Sequence, residues 1–238
     1  MIKGTQKQRV VTQPRMSVNK LAEYQFADAS RRKRILASAK YPEAFITTLY
    51  DKARKLACSF ACGNVSADAI REKVKEFEAT AHELGKMRGM EHDARDHSNS
   101  ALALENLLEI ELQFPGCEIE VYTGKKKHIL INGVAISIHP DLIIRKAGNT
   151  FTSVGALKFH IIKQSLKAES QQIVALMLNE YVQRYVIQPG KNERLNKKLC
   201  LSVDVFAQSS ECCPESTRKR MSHIEVSCEE ISARWASI

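Results

Sequence analysis

The 238-residue chain has no run of about 18 apolar residues, so nothing in it reads as a membrane-spanning helix. Its first residues, Met1-Ile2-Lys3-Gly4-Thr5-Gln6-Lys7, lack the apolar stretch of a secretory signal. Cysteine is present seven times, at 58, 62, 117, 200, 212, 213 and 228, but never as CxxC and never with zinc-finger spacing. Reduced thiols in the cytoplasm are therefore expected rather than a disulfide framework or a zinc module. There is no Gly-rich phosphate loop and no GxSxG, which leaves ATPase and serine-hydrolase readings without a foothold. Aromatic residues are only 6% and are not interleaved with the basic runs, so a base-stacking platform for single strands is not indicated. Acid is scarce at one end: residues 1–55 hold 13 Lys/Arg against 4 Asp/Glu, and the remainder holds 23 of each. The formal charge of +9 thus belongs to the N-terminal quarter and peaks at Arg31-Arg32-Lys33-Arg34.

The rest of the composition is that of a globular protein. With 44% hydrophobic and 26% charged residues, a chain of this length buries a full core without metal or disulfide staples. Residues 1–40 show no sustained apolar period and read as a basic, flexible arm, partly helical from Ser17. Residues 41–98 read as a helical hairpin region. A first helix enters after Pro42 through the apolar run 44–50 and stops at Cys62-Gly63-Asn64, and a second opens at Ser66 with Ile70, Val74, Phe77 and Ala81 on one stripe. Residues 85–99 read as a polar connector. In it His92 and His97 stand five apart, the wrong spacing for a helical zinc pair.

Residues 99–238 form the expected α/β core. A third helix spans about 99–113, after which the period changes to two in Cys117–Tyr122, followed by strand-like runs at 127–131, 134–138, 139–146 and 153–161. Asn132-Gly133 marks a hairpin, and Ala147-Gly148-Asn149 a turn. A helix at 168–186, a strand at 199–206 and a terminal helix at 218–236 complete the order. The fold class is α/β (α+β): a helical N-terminal region followed by a mixed sheet flanked by helices.

Within this order Pro140-Asp141 precedes Lys158 by a strand, a turn and most of a second strand. With Gly133-Val134 leading through Ile136-Ser137 into Pro140-Asp141-Leu142-Ile143-Ile144, the segment resembles the PD-(D/E)xK nuclease superfamily, which has a restriction-endonuclease-like αβββαβ core. The resemblance covers roughly residues 99–206. It implies a Mg²⁺- or Mn²⁺-dependent DNA nuclease, or a protein derived from one, of the kind encoded in bacterial or mobile-element genomes. Phosphodiester hydrolysis needs an activated water and a stabilised pentavalent phosphate, and a divalent cation on carboxylates supplies both. Asp141 would be a metal ligand, and Lys158 would orient the water and contact the phosphate.

Ala156 stands where the family carries its second acid. The missing carboxylate is sought at Glu105, at Glu169 as a metal ligand from the following helix, or at Asp204. Glu105 falls inside the apolar arc of the third helix between Leu112 and Leu102. Each has a plain alternative: Glu105 at a helix boundary, Glu169 as a first-turn acid favoured by the helix dipole, Asp204 as a cap. His139 and His160 flank the motif as further candidates for the same cleft.

The basic run Arg31, Arg32, Lys33 and Arg34 is the candidate nucleic-acid-binding segment, since Lys/Arg clusters hold phosphates without reading sequence. The alternative reading keeps the fold and drops the chemistry, leaving a catalytically degenerate module that binds nucleic acid or protein. A basic-arm adaptor with an unrelated α+β domain is the third. Homo-oligomerisation is left open.

Overall fold

A computed structural model describes residues 10–42 and 50–238. Its elements in order are β1 (Arg15–Ser17), α1 (Val18–Phe26), α2 (Ala29–Lys40), α3 (Asp51–Ala61), α4 (Ala67–Gly85) and α5 (Glu91–Leu108). Then come β2 (Cys117–Val121), β3 (Lys127–Ile131), β4 (Val134–Ile138), β5 (Leu142–Ala147) and β6 (Thr152–His160). The chain ends with α6 (Ala168–Tyr185), β7 (Glu193–Asp204), β8 (Ser209–Cys212) and α7 (Arg218–Arg234). This is a mixed α+β architecture with helices flanking two sheets. Among the described residues no helix is long and apolar enough to cross a membrane.

The chain divides into two interleaved units. The larger comprises residues 48–124 and 140–213; the smaller comprises the described part of residues 1–47, together with Lys125–His139 and Pro214–Ile238.

In the larger unit the sheet order is β2-β5-β6-β7-β8. β5 is antiparallel to both β2 and β6, whereas β6 and β7 run parallel through the crossover helix α6. Alternation along the strands sends Leu142, Ile144, Leu157, Phe159, Val203 and Val205 into one core with α3, α4 and α5. Ser66 caps α4 by accepting from the Ala69 N–H, and Ile70, Val74 and Phe77 form its buried stripe, as the 3.6-residue period requires. Every residue of α6 from Ile173 to Asn179 is buried. Gly155 permits a close approach between β6 and β7, because a Cβ there would lie 2.3 Å from the Leu199 carbonyl oxygen, beside a register shift between Val154 and Ala156.

In the smaller unit the sheet order is β1-β4-β3, with β1 parallel and β3 antiparallel to β4. Asn132 and Gly133 both have positive φ (44° and 80°), the two-residue hairpin that the sequence signals. Asn132 Nδ2 donates to the Glu225 carbonyl and to Glu229 on α7. The C-terminal end is fastened by Trp235 Nε1 donating to Val11 O (3.1 Å) and Lys40 Nζ donating to Trp235 O (2.7 Å).

Three expectations are corrected. The described part of residues 1–40 is not an arm: Met16, Val18, Leu21, Ala22, Ile35 and Leu36 are buried, divided among a strand and two short helices so that no single period runs through them. The connector shrinks to residues 86–90, since α5 begins at Glu91; its first two turns are polar, and their helicity leaves no apolar trace. His92 is exposed there, while His97 packs edge-on against Phe77 at 5.4 Å. The expected core 99–238 is also divided, for β3, β4 and α7 belong to the smaller unit. The helix start after Pro42 and its apolar run lie, as far as residue 49, outside the described residues.

The charge follows this division. By sequence, the segments of the smaller unit carry 17 Lys/Arg against 7 Asp/Glu, and those of the larger 19 against 20. Among the described residues the smaller unit still holds 14 Lys/Arg against 6 Asp/Glu, so most of the basic surplus lies in folded segments.

Candidate functional site

Asp141 is held by its backbone before its side chain acts. Its N–H donates to Leu157 O (2.9 Å) and its carbonyl accepts from Tyr122 N–H (3.0 Å), which extends the β2-β5-β6 ladder by one residue. The register Leu142↔Leu157 then sets Asp141 opposite Lys158, on the same face of the sheet. Lys158 Nζ lies 4.0 Å from Asp141 Oδ2. The two residues singled out by the sequence are brought together.

A third residue joins them from α3. Arg54 Nη1 donates to Asp141 Oδ1 (3.2 Å) and Oδ2 (3.1 Å) and also to Phe159 O (2.9 Å). Oδ2 accepts in addition from the Phe159 N–H at 2.7 Å. The Asp141 side chain is 9% exposed, Lys158 16% and Arg54 32%, so solvent reaches the group mainly from the arginine side. Sequence reasoning missed Arg54, which lies 87 positions from Asp141. Its only linear trace is that it falls beside Ala53 and Ala57, on the buried side of its helix.

The surrounding titratable groups are quiet. One helical turn beyond Arg54, burial pushes the Cys58 thiol up to about 12, and the negative charge of Asp141 adds to the effect; a thiol held protonated is not a nucleophile. His160 is buried, with Nε2 3.0 Å from Gln164 O. Burial holds its pKa below the ordinary 6.5, and Arg54 and Lys158 push the same way, against the Gln164 contact and Asp204. A histidine with a lowered folded-state pKa contributes stability that is full above its unfolded value and is lost as pH falls through the folded one. Urea unfolding midpoints are therefore expected to drop below pH 6.5, and less steeply in His160→Gln than in the wild type. Equal slopes in the two proteins would remove His160 from this account.

The other candidate acids are elsewhere. Glu105 is exposed on the outer face of α5, whose buried stripe is Ala101, Ala103, Leu104 and Leu107; Leu102 is itself 41% exposed, which corrects the expected apolar arc. Glu169 is exposed in the first turn of α6, where the helix dipole favours it. Asp204 is fully buried and committed to backbone: Oδ2 accepts from Leu166 N–H (2.6 Å), Oδ1 from Phe206 N–H (3.1 Å) and Ala207 N–H (3.0 Å). Ala156 is buried and brings no oxygen. His139 falls in the smaller unit and His160 in the larger.

A Mg²⁺ or Mn²⁺ ion takes about six oxygen ligands in octahedral array. The site presents one carboxylate, whose oxygens face an amide N–H and a guanidinium with an ammonium beside them. As placed, these donors do not fit a divalent cation, and among the described residues no group of three or more His, Cys, Asp or Glu stands ready to hold one.

The basic run is divided in use. Arg31 Nε pairs with Glu23 at 2.5 Å. Arg32 reaches Glu230 (3.2 Å) and the carbonyls of Tyr24 and Gln25, with its guanidinium 5.0 Å from the Tyr24 ring centroid. Lys33 and Arg34 are exposed. Comparison with protein-family models and with curated proteins gives no match for this chain.

Proposed function

We propose that the protein is a nuclease-derived, catalytically degenerate nucleic-acid-binding protein, with DNA as its partner. The order α5-β2-β5-β6-α6-β7 in the larger unit, with Asp141 opposite Lys158, supports descent from a PD-(D/E)xK core. One observation carries the loss of chemistry: Arg54 Nη1 spans both oxygens of Asp141, on the group that would otherwise bind the metal. In this reading Arg54 and Lys158 supply the positive charge that a cation supplies in a nuclease, and Asp141 has become a structural ion-pair partner. The surplus of Lys/Arg in the smaller unit supports a polyanionic partner. Seven cysteines without CxxC or zinc-finger spacing agree with the cytoplasm.

A second reading, Mg²⁺- or Mn²⁺-dependent cleavage, is favoured by the 4.0 Å approach of Lys158 to Asp141 and requires Arg54 to leave. Incubation with supercoiled plasmid separates the two. Retardation of the DNA without nicking, in either metal, is the expected result. Nicking that Asp141→Ala abolishes would establish the second reading instead.

A further inference from the structure

Within the smaller unit, α1 and α2 are joined by only Ala27 and Asp28. Each helix starts on a side-chain cap: Ser17 accepts from the Lys20 N–H (3.3 Å) and Asp28 from the Arg31 N–H (2.7 Å). The two helices are treated differently by the core. α1 buries Val18, Leu21, Ala22 and Tyr24, whereas α2 buries only Ile35 and Leu36.

Cross-links fix the second helix on the first. Arg31 binds Glu23 at one end, and Lys20 Nζ donates to Ser38 Oγ (2.9 Å) and Ser38 O (3.0 Å) at the other. Arg32 adds the Tyr24 and Gln25 carbonyls. These contacts tie the two helices together along their length.

The outer stripe of α2 has a definite chemistry. Ser30, Lys33, Arg34 and Ala37 follow one another at helical spacing; the first three are exposed and Ala37 is half-buried. α2 contains no acidic residue at all. Three acids approach the basic run: Glu23 and Glu230 are paired with Arg31 and Arg32, and Asp28 caps the helix at the Arg31 N–H. Two cations set among small side chains let a helix backbone come close to a polyanion.

We propose that α1 and α2 form an antiparallel helical hairpin whose second helix docks in the major groove of duplex DNA through Lys33 and Arg34, with Arg31 and Arg32 as its internal anchors. The inference rests on the nucleic-acid reading above and names the element and the form of nucleic acid. A helix about 10–12 Å across matches the B-form major groove, about 12 Å wide, whereas the deep, narrow major groove of A-form RNA does not admit it. Lys33 at a phosphate and Arg34 at a phosphate or guanine edge are contacts that this geometry favours.

Fluorescence anisotropy of the full chain on a duplex of about 30 base pairs, between about 50 and 200 mM salt, tests this. Lys33→Ala/Arg34→Ala is compared with Lys73→Ala/Lys75→Ala, which removes the same charge from exposed positions on α4 of the larger unit. The α2 variant is expected to bind at least about tenfold more weakly, with a salt slope shallower by about 2, while the α4 variant stays close to wild type. Methyl green, a major-groove ligand, is expected to compete, and an RNA duplex of the same sequence to bind more weakly. Wild-type affinity in the α2 variant, an equal loss in the α4 variant, or equal affinity for duplex RNA would overturn the inference while leaving nucleic-acid binding intact. Absence of any binding by the wild type would remove the underlying reading as well. Unchanged thermal melting of both variants excludes misfolding as the cause of a loss.

Discussion

Asp141→Ala is expected to lower folding stability by about 3 kcal/mol, because it strips the partner from a part-buried guanidinium and from the Phe159 N–H together. For a chain of this size that corresponds to a fall of roughly 6–12 °C in Tm. The sign is diagnostic. In a metal site crowded with carboxylates, removing one acid relieves repulsion and leaves the apoprotein unchanged or more stable. Here the aspartate is the lone anion among two cations and an amide, so its loss costs stability. Arg54→Ala is expected to cost a comparable amount, somewhat reduced by the one-third exposure of the arginine, and the double variant less than the sum of the two. Arg54→Lys restores only part, since an ammonium does not reproduce the planar guanidinium geometry between the carboxylate and Phe159 O. Thermal melts and urea midpoints of the four variants and the wild type give the comparison. A fully stable Asp141→Ala would contradict the structural role assigned to this residue.

Asp204→Ala is the second large effect, expected at about 3–4 kcal/mol. Its carboxylate has no exposure and accepts from three backbone N–H groups, two in the turn after β7 and one at Leu166 in the approach to α6. Truncation leaves those donors without their partner, in a site remote from water. Asp204→Asn serves as the sharper variant. With its oxygen on Phe206 and Ala207, the amide nitrogen faces the Leu166 N–H, donor against donor, so asparagine is expected to fail nearly as badly as alanine. Urea midpoints decide it; an Asp204→Asn protein as stable as wild type would mean that the three bonds are dispensable.

The sequence made the local features legible and hid the long-range ones. Ser66, the Asn132-Gly133 turn and the alternation at Cys117–Val121 are governed by neighbours within a few residues, and the elements there agree with expectation. Asp141 and Lys158 belonged to this class too, since one short turn joins two adjacent antiparallel strands and fixes their register. Arg54 did not, because its partner arrives through packing of α3 against a sheet that forms 87 residues later. The pairing of β1 with β4 crosses a still longer interval, which is why residues 15–17 read as part of an unstructured arm. Glu105 was misplaced for a different reason. The helical wheel took Leu102 and Leu112 as markers of the buried face, but Leu102 is exposed and α5 ends at Leu108. A leucine count cannot tell which flank of a helix the core will cover.

The central claim is that the Asp141 carboxylate is engaged by Arg54 and does not serve a metal. Calorimetric titration of Mn²⁺ into the wild type and into Asp141→Ala, with plasmid nicking followed on the same samples, tests it most directly. The account predicts the same titration curve for both proteins and no nicking by either. Saturable Mn²⁺ binding by the wild type, abolished together with nicking in Asp141→Ala, would contradict it.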